Sequence, residues 1–303
     1  MTEFKRIRVR GDAVLNVAVA GDPASPAVIL LHGFPESHRT WRDVAPRLQD
    51  QFYLVMPDQL GFAGSDRPQE VEAYSSDKLV EDIFALAEAL GLESFALVGH
   101  DWGGAIAWGA ALRGDPRLSR LAIINAPHPA VFQKSVIEDP DQREASQYIT
   151  AFRTPGFEQA VEAMGYEAFF AKSFSKHADL SLISESEKQQ YLAEWSQPGG
   201  LTAMLNWYRG SKIIVPPPGV TVPLPDFLLR AFPKVTVPTL VIWGMEDSAL
   251  LPIQLDGLDA LVEDLTVVRL PGVGHFAPWE APEEVAAALG PFLAGQAAAT
   301  APA

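Results

Sequence analysis

Cysteine is absent from all 303 residues, which excludes disulfides, thiolate metal sites and a cysteine nucleophile, and fits a reducing compartment. Positive charge is scarce. The 23 Lys and Arg stand against 38 Asp and Glu, a formal charge of −15 that repels polyanions, so neither nucleic acid nor an anionic membrane surface is an expected partner. No apolar run is long enough to cross a bilayer, and the opening MTEFKRIRVRGD alternates charged and apolar residues where a signal peptide would carry an unbroken apolar stretch. A cytoplasmic protein is the expectation. There are 6 histidines, none paired at a metal-ligand spacing, so no metal is expected, and no internal repeat is present.

What is there is an ordinary globular composition, 48% apolar and 20% charged, enough for a large core. Short apolar runs alternate with helical patterns. Phe4 to Val9 and Val14 to Ala20 read as two opening strands joined at Gly11-Asp12. Ala27 to Leu31, Leu54 to Pro57, Phe95 to Gly99, Leu121 to Asn125, Thr239 to Gly244 and Leu265 to Leu270 are unbroken apolar runs, as strands buried on both faces of a parallel sheet require. Between them Trp41 to Leu48, Asp77 to Leu90, Gly104 to Arg113 and Glu283 to Leu293 read as amphipathic helices, giving an α/β doubly wound architecture. The alternation stops between about residues 129 and 232, a block of mixed aromatic and charged residues read as a helical insertion, and resumes at Val235 to Val241. The expected division is a core of residues 1–128 and 233–295, a cap of residues 129–232, and a low-complexity, frayed tail over residues 296–303.

Three segments carry chemistry. FALVGHDWGGAIAWGAAL places Asp101 between a strand and a helix, with Gly99, Gly103 and Gly104 leaving room for a sharp turn: the layout of a nucleophile elbow, with a helix N-cap as the plainer role for Asp101. HGFP (His32 to Pro35) follows a buried strand and can set the Phe34 backbone N–H beside that of Trp102 as an oxyanion hole. LPGVGHFAPWEAPEEV puts His275 on a glycine-bracketed loop after the last strand, and VIWGMEDSALLP supplies an acid before it. Asp247 is preferred to its rival Glu246, because the shorter carboxylate is more easily fixed against an imidazole N–H. The chain order of nucleophile, acid and histidine is that of serine hydrolases of this architecture. An aspartate nucleophile, ionised above a pKa near ~3.9, attacks an sp³ carbon unaided; its base, acid and oxyanion hole are needed to hydrolyse the ester that results.

HGFPESHRTWR, DQLGFAGSDRP, GHDWGG, NAPHP and the GHF segment together resemble the α/β-hydrolase branch that contains epoxide hydrolases, haloalkane dehalogenases and fluoroacetate dehalogenases. The resemblance covers nearly the whole core. It implies an eight-stranded, mostly parallel sheet with flanking helices and an inserted helical cap, a cis bond before Pro35, and Asp101 as the nucleophile. It also implies two cap tyrosines that donate to an epoxide oxygen. TAMLNWYRG resembles the second tyrosine motif and marks Tyr208; in SQYITAFRTPG the first position falls on Tyr148. Haloalkane dehalogenases typically carry Asn where this chain has Phe34. Fluoroacetate dehalogenases typically have Arg where it has Trp102, a His-Trp pair at Tyr148-Ile149, and their acid at Asn125.

The resemblance therefore implies cofactor-free hydrolysis of an apolar epoxide by water, with Asp101, His275, Asp247, Tyr148 and Tyr208 as catalytic residues and Phe34, Trp102, Tyr148, Ile149 and Tyr208 against the substrate. Dehalogenation by the same aspartate is the alternative. A non-catalytic protein holding an apolar ligand under its cap is a reading of another class, which an intact nucleophile, base and acid oppose. His38, His100, His128 and His177 are read as structural, with His100 supporting the elbow. A homodimer is left open.

Overall fold

Eight strands form one sheet in the computed structural model, which describes residues 2–296; the expected frayed tail lies, apart from Gln296, outside the described residues. The strands are β1 (Glu3–Arg8), β2 (Val14–Ala20), β3 (Ala27–Leu31), β4 (Tyr53–Pro57), β5 (Phe95–His100), β6 (Leu118–Ile124), β7 (Thr239–Gly244) and β8 (Leu265–Leu270). Their spatial order is β1-β2-β4-β3-β5-β6-β7-β8, antiparallel across the first two pairings and parallel from β4 onward. Every residue of β3, β4, β5 and β7 is buried, the physical origin of their unbroken apolar runs.

Successive side chains along each strand go to opposite faces and feed two cores. Val28, Leu30, Val98, Ala122 and Ile242 pack beneath the helix Pro282–Leu293 and the short turn Ala45–Leu48. Ile29, Leu31, Leu97, Ile123 and Val241 face the helices Ser76–Ala89 and Trp102–Leu112, in a core that runs on without a break into Phe169, Trp195 and Trp207 of the 129–232 block. That block leaves the sheet after β6 and returns before β7. It holds the helices Pro129–Glu138, Pro140–Ala145, Gln147–Arg153, Phe157–Met164, Tyr166–Phe174, Glu185–Trp195 and Gly200–Gly210. Directional bonds pin it to the core: the Trp195 indole N–H donates to the Pro35 carbonyl at 2.7 Å, that of Trp207 to the Leu60 carbonyl at 2.8 Å, and the Tyr191 hydroxyl to Glu36 at 3.0 Å.

Three boundaries depart most from the sequence reading, the others shifting by at most two residues. Trp41 to Leu48 is not one helix but a 3-10 turn, His38–Trp41, followed by Ala45–Leu48, because Pro46 has no N–H for an earlier carbonyl and suits only a helix start. The strand expected from Val235 begins at Thr239; Val235 makes an isolated bridge to Val262, and Pro238 cannot donate to a ladder. The strand read as Leu121 to Asn125 spans Leu118–Ile124, since Asn125 turns out of it at φ 41°. No helix among the described residues is long and apolar enough to cross a membrane.

Candidate active site

Asp101 leaves β5 at φ 50°, ψ −121° and makes no capping bond to the helix Trp102–Leu112. The N-cap role is thereby excluded: the side chain is turned off the helix axis, and the strained backbone is the signature of an elbow. Such a turn needs close neighbours without side chains. A Cβ on Gly33 would lie 2.3 Å from that of Asp101, and one on Gly103 2.3 Å from the Leu31 carbonyl oxygen. The Phe34 N–H donates to Asp101 Oδ1 at 2.7 Å, and the Phe34–Pro35 bond that follows is cis. The Trp102 N–H lies in the first helical turn, where N–H groups have no carbonyl partner within the helix.

His275 sits after β8 with Nε2 3.6 Å from Asp101 Oδ2, while its Nδ1–H donates to Asp247 Oδ2 at 2.7 Å. Asp247 is buried, and Glu246, the rival acid, is exposed. Three further donors fix Asp247: the N–H groups of Ala249 and Leu250 on Oδ1, at 2.8 and 2.9 Å, and the Asn125 amide on Oδ2 at 2.8 Å. Asn125 also accepts from the Gly244 N–H at 2.9 Å, so the end of β6 buttresses the acid after β7. His100 donates its Nε2–H to the His275 carbonyl at 2.8 Å, holding the histidine loop as well as the elbow. Burial lowers the His100 pKa to about 4, so its ring is neutral.

The electrostatics follow from one cation lodged between two anions. Burial raises the pKa of Asp101 and Asp247, but hydrogen bonds and the charge of His275 outweigh it and hold both carboxyls below their usual range. Burial pushes His275 down, yet Asp247 and then Asp101 outweigh it and hold the imidazole well above its usual value. Opposite Asp101, Asp247 and His275 stand Tyr148 and Tyr208. Burial first raises both phenols; for Tyr148 the Asp101 charge follows, and for Tyr208 the neighbouring Tyr148 and then Asp101. Both stay neutral donors at ordinary pH. Tyr208 is packed edge-on against Phe34, Trp102 and Phe152, at ring separations of 5.1, 5.2 and 4.9 Å, with Tyr148 at 6.0 Å.

A two-lobed cavity opens over Asp101. One lobe, about 260 Å³, is walled by Trp102, Ala105, Phe132, Ile149 and Leu250. The other, about 300 Å³, is walled by Phe34, Phe152, Phe157, His177 and His275, with Lys172 and Lys176 at its rim. Asp101, Tyr148 and Tyr208 line both. Of the residues singled out from sequence, Trp102 and Ile149 line the first lobe only and Phe34 and His275 the second only, while Asp247 lines neither and reaches the site through its bond to His275. Asn125 and His177 were not assigned parts in the site. Asn125 was visible in NAPHP only as the place where some relatives carry an acid, and nothing local marks His177. No cluster among the described residues has the ligands to hold a metal ion.

The sequence pattern of the alpha/beta hydrolase fold family matches residues 26–282. The chain is 32% identical to epoxide hydrolase A of Mycobacterium tuberculosis over 93% of its own length and 94% of the relative's. It is 30% identical to epoxide hydrolase 3 of Xenopus tropicalis, covering 95% of this chain and 77% of that one. Among solved structures, it superimposes with a TM-score of 0.87 and 46% identity on one described among novel epoxide hydrolases of the alpha/beta hydrolases superfamily from hot-environment metagenomes, covering 98% of this chain and all (100%) of that one. It does so with a TM-score of 0.79 and 29% identity on the M145A mutant of a Bacillus megaterium epoxide hydrolase, covering 93% and 96%. With a sheet, an elbow and a catalytic order that all agree, the chain belongs to the α/β-hydrolase superfamily, as one of its epoxide hydrolase members.

Proposed function

We propose that the protein converts an apolar epoxide and water to a vicinal diol through an ester on Asp101. The observation that carries this reading is the cavity itself: its two lobes share one carboxylate, Asp101, and two neutral phenols, Tyr148 and Tyr208. A carboxylate attacks carbon from one side of a three-membered ring while phenols donate to the departing oxygen on the other. Residues 129–232 act as the cap that brings the phenols, over a core of residues 1–128 and 233–295.

In the first step Asp101 forms a C–O bond, the ring C–O bond breaks, and the new alkoxide takes a proton from Tyr148 or Tyr208. In the second, His275 takes a proton from water as its oxygen attacks the Asp101 carboxyl carbon, with the Phe34 and Trp102 amides holding the oxyanion. The ester bond breaks, the diol oxygen receives the proton from His275, and the water's other proton restores the phenol. The charge balance makes the steps sequential. While Asp101 is an anion it helps to keep His275 protonated. Esterification removes that charge and lowers the histidine's pKa, so the imidazolium gives its proton to solvent and takes it back once Asp101 is again an anion; the base is thus released only when there is an ester to hydrolyse.

His275→Gln tests the reading. Offered an aryl epoxide, the variant should accumulate an adduct on Asp101, detected by mass spectrometry, while the wild type turns over to diol. Fluoride release from fluoroacetate with no diol from any epoxide would overturn the assignment in favour of a dehalogenase.

A further inference from the structure

The two lobes are unequal in one respect that bears on the second step: His275 lines only the lobe rimmed by Lys172 and Lys176. The hydrolytic water must therefore reach the base from that side. A water held by His275 alone is free to swing about one hydrogen bond, and its attack on the Asp101 carboxyl carbon calls for a second fixed partner. The other walls there are mostly apolar, among them Phe34, Phe152, Phe157, Phe169 and Phe276.

His177 is placed to be that partner. Its Nδ1 lies 2.8 Å from the Ser248 hydroxyl, whose single proton is given to the Lys176 carbonyl at 3.0 Å. Ser248 can then only accept from His177, which fixes the proton on Nδ1 and leaves Nε2 as a lone-pair acceptor with no partner among the described residues. The His177 and His275 rings stand 6.3 Å apart at 65°, a separation one water can bridge. Burial lowers the His177 pKa to about 4, so the acceptor persists at neutral pH. The segment cannot drift, because it packs on the base's own loop: a Cβ on Gly274 would meet the His177 carbonyl oxygen at 2.5 Å. Ser173, whose buried hydroxyl has no partner among the described residues, lines the same lobe.

We infer that His177 is a positioning residue for ester hydrolysis, its Nε2 accepting one O–H of the water whose other O–H is taken by His275. The proton inventory of the reaction is unchanged, since His177 orients the water and neither gains nor loses a proton. The inference rests on the ester mechanism proposed above.

The test separates the two steps by rapid quench, reading ester formation on Asp101 and ester loss independently in the full-length protein. His177→Phe should form ester at the wild-type rate and hydrolyse it about tenfold more slowly, the effect of one lost hydrogen bond to the reacting water. His177→Gln, whose amide oxygen can accept, should recover most of the loss. Wild-type hydrolysis in His177→Phe overturns the inference, as does an equal fall of both steps in both variants, which would mean a packing role. An ester that never forms in the wild type, with diol still produced, overturns the mechanism beneath it, whereas an ester that forms and clears normally in the variants overturns the inference alone.

Discussion

The two walls of the cavity are held in place by different forces. On the sheet side, Asp101, Asp247 and His275 are fixed by an elbow and by hydrogen bonds of 2.7 to 2.9 Å from backbone and side-chain donors. On the inserted side, Tyr148 and Tyr208 are fixed by edge-on aromatic packing at 4.9 to 6.0 Å. Hydrogen bonds weaken steeply with distance and angle; ring packing tolerates sliding. The difference matches the demands of the two steps. In the proposed mechanism ester hydrolysis always presents the same atoms, the Asp101 carboxyl carbon and a water, so its machinery gains from rigidity. On the same proposal the phenols meet an epoxide oxygen carried on the substrate's own skeleton, so they gain from a wall that can shift.

The comparison is broken most severely from the sheet side. Asp247→Asn should lower ester hydrolysis by roughly 10³-fold and leave ester formation nearly intact, because an amide neither orients the imidazole nor supports its positive charge. The quench-flow signature is a full burst of ester followed by slow decay. The pH dependence has a definite sign. A base works when deprotonated, so hydrolysis is lost as pH falls through the His275 pKa. Asp247 raises that pKa, so the variant's acid limb should move to lower pH while its plateau falls. An unchanged limb would show that Asp247 does not act on His275 electrostatically.

From the other wall the effects should be smaller and confined to the first step. Tyr148→Phe and Tyr208→Phe should each slow ester formation by about 10- to 100-fold, since one donor remains, with hydrolysis unaffected. The double change should cost more than either alone. Equal losses in both steps would show that the phenols serve the triad as well as the epoxide.

What could be read from sequence divides along the same line. Strands β3, β5 and β7 were legible because complete burial leaves no polar interruption, and the elbow because its steric crowding admits only small neighbours. Tyr208 was legible through the NWYR context and Tyr148 through its place seven residues ahead of Pro155, that is, through resemblance and not through pattern. Contacts made by folding left no local trace. Asn125 reaches Asp247 across 122 residues and His177 reaches Ser248 across 71, each from a segment whose own composition says only that the chain turns there. The broken helix at Trp41 to Leu48 was hidden for a simpler reason: apolar spacing carried on through Pro46, where the backbone bonding could not.

Arg153 offers the finest test of the contrast, because it is a polar clamp directly between the two helices whose tyrosines pack by their rings. It ends the helix that carries Tyr148, and its guanidinium donates to the carbonyls of Tyr208, Ile213 and Ser211 at 2.9, 2.8 and 3.2 Å and to the Ser211 hydroxyl at 2.7 Å. It thereby ties the ends of the two tyrosine helices together. Arg153→Leu keeps much of the stem's packing and removes the tie, at a cost of about 1–2 kcal/mol in stability, read as a lower melting temperature. If aromatic packing sets the phenols, ester formation should fall by only about threefold, and hydrolysis by nothing, because no triad residue touches this clamp. A loss as deep as that of the Tyr→Phe variants would mean that the spacing of Tyr148 and Tyr208 is set by hydrogen bonds after all, and that the two walls differ in what they hold and not in how they hold it.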